Sequence, residues 1–174
     1  MDLYHYINTI HDWPKKGVSY RDIFPILHNP LAFKEVTQLF RKYCEGKDIS
    51  KIAGIESRGF IFAAALAQEL NLPLILIRKR GKLPGKTLSK EYQLEYGRDA
   101  VEIQEGSVVK GDRLLIVDDQ IATGGTAYAA SQLIEAAQGN VSGFAFVINQ
   151  EYGGGSKLLE GYSLCSLITF KDQN

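Results

Sequence analysis

Residues 116–127 read IVDDQIATGGTA. Leu114 to Val117 reads as the strongest strand of the chain, so a buried strand runs straight into a loop of small residues. A helix is predicted from about Ala127 to Gln138, and a further apolar strand from Phe144 to Ile148. This β-loop-α-β order is the building block of a parallel sheet. The loop suits an anion. Gly124 and Gly125 let backbone N–H groups turn inward, Thr123 and Thr126 add hydroxyls, and the next helix offers its partly positive N-terminus. Yet two acids, Asp118 and Asp119, stand directly before it.

A second unit lies upstream. Residues 52–55 are a short buried strand, ESRG at 56–59 is a turn, Phe60 to Leu70 is a helix, and residues 74–77 are another apolar strand. In open α/β sheets ligands bind where loops leave the carboxyl ends of strands, and ESRG and DDQIATGGT both hold that position. Leu3, Tyr6, Ile7 and Ile10 follow helical spacing, so the first dozen residues are predicted as a short helix, ended by Trp13, Pro14 and Gly17. Phe33, Val36, Leu39, Phe40 and Tyr43 place a second helix over 31–43. Residues 78–100 are polar and punctuated by Gly81, Pro84, Gly85 and Gly97, with a short strand predicted at 101–103. A segment of that length between core elements is usually functional or mobile. The whole chain, 1–174, is read as one α/β domain with a central, mainly parallel sheet flanked by helices.

Bulk properties exclude several classes. With 174 residues and a net charge of zero, the chain has room for one real core and no surplus of positive charge for a nucleic-acid partner. The one basic cluster, RKRGKLPGK at 78–86, holds no acid and could be a solvated loop. Cys44 and Cys165 lack metal-ligand spacing and suggest a reducing compartment. The N-terminus lacks the layout of a signal peptide, and the longest apolar run, 60–67, falls short of the ~20 residues that cross a bilayer. A cytoplasmic protein without a membrane partner is expected.

The glycine loop is not a Walker A loop, since no Lys follows the glycines, and it lacks the G-x-G-x-x-G spacing of a dinucleotide fingerprint. An acid pair ending a buried strand is costly unless it is partnered. A ligand with a phosphate at one end and vicinal hydroxyls at the other satisfies loop and acids together, and a ribose 5-phosphate is such a ligand. The plainer alternative stays open: a tight turn needs a glycine or two, and acids can cap the helix that follows.

VDDQIATGGTAYAA at 117–130 resembles the phosphoribosyl-pyrophosphate signature of the type I phosphoribosyltransferases. The resemblance extends over nearly the whole chain through WPKKGVSYRDI at 13–23, AGIESRGFIFAAALA at 53–67, LIRKRGKLPGKT at 76–87 and YQLEYGRDAVEI at 92–103, and narrows to the adenine-using branch. It implies the type I phosphoribosyltransferase-like fold, with residues of about 80–100 as a flexible hood, and transfer of ribose 5-phosphate from phosphoribosyl pyrophosphate to N9 of adenine. In that reading Ala122, Thr123, Gly124, Gly125 and Thr126 hold the 5-phosphate, and Asp118 and Asp119 the ribose hydroxyls. Glu56, Ser57 and Arg58, in a turn that often carries a non-proline cis peptide, meet the pyrophosphate with Arg78, Lys79, Arg80 and Lys82. Glu95 enters on the hood as the catalytic acid or base, and Tyr96 shapes the closed hood. Mg²⁺ is implied as the cofactor, held mainly through substrate oxygens and not by a direct protein site. The family also implies a homodimer.

The base site departs from the family pattern. Ser19, Tyr20 and Arg21 fall where residues line the base, with Ser19 in an apolar place and Tyr20 where Phe is common. Asn149 and Gln150 replace the usual Glu and Leu, and an amide can serve a donor or an acceptor. Adenine carries a donor at its 6-position, whereas hypoxanthine and guanine carry an acceptor. A 6-oxopurine is therefore the alternative substrate, and a non-catalytic sensor of phosphoribosyl pyrophosphate the alternative outside the enzymes.

Overall fold

The computed structural model describes residues 1–93 and 98–172. The N-terminal segment corrects the helix predicted there. Leu3–Tyr6 makes a single 3₁₀ turn, and Asn8–His11 is a strand, β1, paired antiparallel with β2, Ser19–Asp22. The physical reason is tertiary. The Tyr4 hydroxyl donates to the Thr169 carbonyl at 3.0 Å and accepts from the Thr169 N–H at 3.1 Å, which ties the turn to the far end of the chain. Local periodicity carries no information about such a partner.

Two helices follow, α1 at Phe24–His28 and α2 at Pro30–Cys44. Asn29 caps α2 by accepting from the Leu31 and Ala32 N–H groups, both at 3.0 Å, and Pro30 fits the first turn because its missing N–H costs nothing there. Ala32, Val36, Phe40 and Cys44, four apart, form its buried stripe. The first β-α-β unit is β3, Lys51–Ile55, then α3, Gly59–Leu70, then β4, Leu74–Lys79. The polar stretch read as a hood is largely strand. Thr87–Gln93 is β5 and Arg98–Gln104 is β6, an antiparallel hairpin in which Thr87 faces Gln104 and Gln93 faces Arg98. Leu88 and Tyr92 lie on one row of β5 and pack toward the core, whereas the residues between them are polar.

The second unit is β7, Arg113–Ile121, then α4, Gly125–Ala136, then β8, Asn140–Gln150. Strand β7 runs four residues beyond its apolar core, so Asp118, Asp119 and Gln120 belong to the strand and not to the loop. A 3₁₀ turn at Glu151–Gly153, a short helix α5 at Gly155–Leu158 and β9 at Leu164–Phe170 complete the chain.

The larger sheet has the order β5-β6-β4-β3-β7-β8-β9. Strands β4, β3, β7, β8 and β9 are parallel, and β6 pairs antiparallel with both β4 and β5. This is the mainly parallel, helix-flanked sheet that the sequence leads one to expect. One face packs on α2 and α3, where Phe40, Phe62 and Leu66 meet Leu115, Val117 and Val147. The other packs on α4, where Ala130, Leu133 and Ile134 meet Ile116, Phe144 and Phe146. The chain leaves β3 toward β4 on one side, and β7 lies on the other side of β3. That reversal creates a crevice at the carboxyl ends of β3 and β7. Among the described residues, no helix is long and apolar enough to cross a membrane.

Candidate active site

The crevice opens into a cavity of about 380 Å³ lined by residues 55–58, by Lys79 at the end of β4, and by residues 118–127. Three parallel strands thus deliver the ESRG turn, one lysine of the basic run, and the acid pair with its glycine loop to one place. The Glu56–Ser57 peptide is cis. The Glu56 carboxylate accepts from the Arg78 Nε at 3.0 Å and from the Lys79 N–H at 2.8 Å, which fastens the turn to β4.

The electrostatic question of the acid pair has a structural answer before any ligand binds. Asp119 is 4% exposed, and its Oδ2 accepts from the Arg58 Nε at 2.6 Å. Burial pulls the Arg58 guanidinium down, but the Asp119 charge and hydrogen bond more than offset this and hold it above its ordinary value. The Arg58 Nη1 also donates to the Tyr20 hydroxyl, and the guanidinium lies 5.3 Å from the Tyr20 ring centroid. Asp118 behaves differently. Its Oδ1 accepts from the Asp119 N–H at 2.8 Å, while loss of water first, and the Asp119 charge second, push its carboxyl well above the usual carboxylate range. One acid is therefore paired, and the other is held toward its neutral form.

The glycine loop is built from both sides. Gly124 has φ +77°, a left-handed conformation that an L side chain strains to adopt, and α4 begins at the next residue with its N–H groups toward the cavity loop. Behind the loop, the Gly155 N–H donates to the Ala122 carbonyl at 2.8 Å. A Cβ on Gly155 would lie 2.5 Å from that carbonyl oxygen and 2.6 Å from the Gly124 nitrogen. The glycine run at 153–155 thus backs the loop, and the run GGG was the sequence signal that could have marked it.

Of the proposed pyrophosphate residues, Glu56, Ser57, Arg58 and Lys79 line the cavity. The Lys79 ammonium meets Asp99 and the Tyr92 hydroxyl, which raise its pKa against the lowering effect of burial. Arg78 turns to Glu56 and to the Lys82 carbonyl, and Arg80 pairs with Glu91 at 3.1 Å on the exposed hairpin. The base candidates separate by strand alternation. Ser19 faces His11, with Oγ and Nδ1 3.2 Å apart, and Arg21 is 2% exposed, donating to Thr9 and to the Asp172 carbonyl with its guanidinium 4.0 Å from the Phe170 ring centroid. Tyr20, on the opposite face of β2, accepts from the cavity residue Arg58 and packs edge-on to Trp13 at 4.5 Å. Asn149 is buried, and its Oδ1 has no hydrogen-bond partner among the described residues. The Gln150 Nε2 donates to the Gln120 Oε1 at 2.9 Å. Gln120, Ile55 and Ile121 also line the cavity; the sequence places them at the right strand ends, but which of their side chains turn to the hollow depends on the strand alternation. Glu95 and Tyr96 lie outside the described residues.

Comparison with known proteins agrees with this geometry. Residues 25–165 match the family described as the phosphoribosyl transferase domain. The chain is 46% identical to adenine phosphoribosyltransferase of Methanococcus vannielii over 172 residues, covering 99% of each chain. It superposes on the crystal structure of adenine phosphoribosyltransferase from Thermoanaerobacter pseudethanolicus with a TM-score of 0.94, at 43% identity and with 97% of this chain and 98% of that one covered. It also resembles the Saccharomyces cerevisiae enzyme, solved with adenine and an imino-altritol bisphosphate, at 35% identity and a TM-score of 0.91, over 95% of this chain and 96% of that one. With the anion loop, the acid pair and the ESRG turn gathered at one sheet crevice, this chain belongs to the phosphoribosyltransferase family, among the adenine phosphoribosyltransferases.

Proposed function

We propose that the chain transfers the 5-phosphoribosyl group from phosphoribosyl pyrophosphate to adenine, releasing AMP and pyrophosphate. One observation carries the reading: the anion loop at 122–126 and the acid pair Asp118 and Asp119 line the same cavity, so one ligand meets both. The loop takes the 5-phosphate through its N–H groups and the Thr123 and Thr126 hydroxyls. The acids take the ribose hydroxyls, which supply donors without adding charge. Arg58 and Lys79 face the pyrophosphate, with Arg78 and Lys82 nearby, and offset the charge that develops on it as the anomeric C–O bond breaks. Tyr20 beside Arg58 and Gln150 beside Gln120 mark the base side of the site, whereas Ser19 and Arg21 turn to the other face of β2.

The donor set also fits the implied metal. Two adjacent carboxylates, one already paired to Arg58, are too few for an all-protein cage but suit a Mg²⁺ that arrives on pyrophosphate and ribose oxygens. The ion supplies charge neutralisation on the leaving group. Glu95, on the hood of residues 80–100, is the group assigned to exchange a proton with the purine or to stabilise positive charge on the sugar. We further assign the chain to one domain over 1–174, to a homodimer and to the cytoplasm.

Pyrophosphate release tests the reading. Turnover with adenine should exceed that with hypoxanthine, guanine or xanthine in kcat/KM. Equal or better use of a 6-oxopurine overturns the adenine assignment, and tight binding of phosphoribosyl pyrophosphate without turnover on any purine favours a sensor. Glu95→Gln should lower kcat by about 10²–10⁴ while leaving affinity for phosphoribosyl pyrophosphate near normal. Unchanged kcat would remove Glu95 from the chemistry. Gly155→Ala should lower kcat/KM by about 10²-fold, since its Cβ displaces the backbone at Ala122 and Gly124 and misplaces the phosphate. Near-native kinetics in that variant would mean that the loop does not depend on the glycine behind it.

A further inference from the structure

Strands β7 and β8 are parallel neighbours in which Gln120 faces Ile148. Gln150 therefore lies two residues further on, on the same face, and its amide reaches back to Gln120. Three polar groups form a chain with one sense. The Tyr152 hydroxyl donates to the Gln150 Oε1, and the Gln150 Nε2 donates to the Gln120 Oε1 at 2.9 Å. Gln150 is 7% exposed, so its amide has both ends committed away from bulk water. Gln120 lines the cavity, and its oxygen is the end turned toward Gln150. With the oxygen directed at Gln150, the Nε2 is the end of the Gln120 amide turned away from Gln150, and it can only donate.

We propose that Gln150 and Tyr152 are positioning residues that set the sense of the Gln120 amide, and that the Gln120 Nε2 donates to an acceptor nitrogen on the ring of the bound purine. The inference rests on the transferase reading above and deepens it. Gln150, viewed alone, is an amide that could serve a donor or an acceptor by flipping. Inside the chain its oxygen accepts from Tyr152 and its nitrogen donates to Gln120, so both ends of the amide are engaged within the wall. Selectivity passes to Gln120, which presents one kind of group. A purine with a ring nitrogen at that point gains a hydrogen bond, and one with a C–H there leaves the donor unpaired.

The test uses the full chain and compares adenine with 1-deaza-, 3-deaza- and 7-deazaadenine, each of which replaces one ring nitrogen by C–H and keeps N9. In the unmodified protein, one of the three should lose about tenfold in kcat/KM relative to adenine beyond the other two. That penalty should vanish in Gln120→Leu, and shrink in Gln150→Leu and in Tyr152→Phe, where Gln120 loses its orientation. Gln150→Glu should invert it, because a carboxylate accepts from the Gln120 Nε2 and turns the Gln120 oxygen toward the ring nitrogen. A loss of packing alone would lower kcat/KM for all four bases together and leave the ratios unchanged. Unchanged ratios in Gln120→Leu and Gln150→Leu, or three deaza analogues used as well as adenine by the unmodified protein, overturn the inference and leave the transferase reading intact. Absence of adenine turnover in the unmodified protein overturns both. Should the Gln150→Glu chain fail to fold, the Leu and Phe variants decide.

Discussion

Arg58→Ala is expected to lower kcat/KM by about 10² or more and to destabilise the ligand-free chain by about 1–3 kcal/mol. Two separate losses coincide in this residue. The first is chemical, since Arg58 lines the cavity and is proposed to meet the pyrophosphate. The second is structural. Asp119 is 4% exposed and Arg58 is its ion-pair partner at 2.6 Å, so removing the guanidinium leaves a buried carboxylate without its countercharge. A fully buried pair broken on one side costs roughly 3–5 kcal/mol. Arg58 keeps 28% of its side-chain surface in water, which places the cost below that range. The double variant Arg58→Ala/Asp119→Asn separates the two losses. Denaturant unfolding should show stability largely regained, whereas pyrophosphate release should not recover. A single variant as stable as the unmodified chain would mean that the pair carries no structural load.

Asp118→Asn is expected to stabilise the ligand-free protein while weakening phosphoribosyl pyrophosphate by about ten- to a hundredfold. The folded chain raises the Asp118 carboxyl well above its ordinary value, through burial first and the adjacent Asp119 charge second. A raised folded pKa means that the native state binds more protons than the unfolded state between the two values. Stability from this group is thus fully present below the unfolded carboxyl value and is lost as pH rises through the folded one. An uncharged amide has no such slope. The difference in Tm between Asp118→Asn and the unmodified protein should accordingly grow with pH across that interval, and a gain of about 1 kcal/mol reads as roughly 2–4 °C for a chain of this size. In binding, the amide puts an NH₂ group where the carboxyl has an oxygen, so a ribose hydroxyl loses an acceptor. A Tm difference that is flat with pH, or sugar affinity that survives, would contradict the assignment. The two outcomes together would mark a site whose ligand-free electrostatics are unfavourable.

Much of the sheet was legible because its central strands β3, β7 and β8 are buried on both faces and β4 is apolar. Residues 52–55, 74–77, 114–117 and 144–148 are continuous apolar runs, as parallel strands covered by helices require. Strand β5 escaped because only Leu88 and Tyr92 mark its inner row, and residues around them are polar. The N-terminal helix was misread because Leu3, Tyr6, Ile7 and Ile10 satisfy helical spacing, while pairing with β2 and the Tyr4–Thr169 hydrogen bonds decide the outcome.

The candidate site divides in the same way. The anion loop and the ESRG turn could be located from sequence, since glycines, hydroxyls and strand ends act within a few residues of each other. The meeting of Tyr20 with Arg58 could not, because it depends on which face of β2 the fold turns toward the ESRG turn. Nor could the partner of Asp119, which lies 61 residues away, or the pairing of Gln120 with Gln150 across two strands. By itself the sequence pointed to a sugar phosphate as the ligand, because IVDDQIATGGTA sets an anion-binding loop beside two acids in one short run and resembles a family signature. Tertiary structure alone decided how those acids are tolerated and which way the amide wall points, because both depend on sheet register bringing distant side chains within hydrogen-bonding distance.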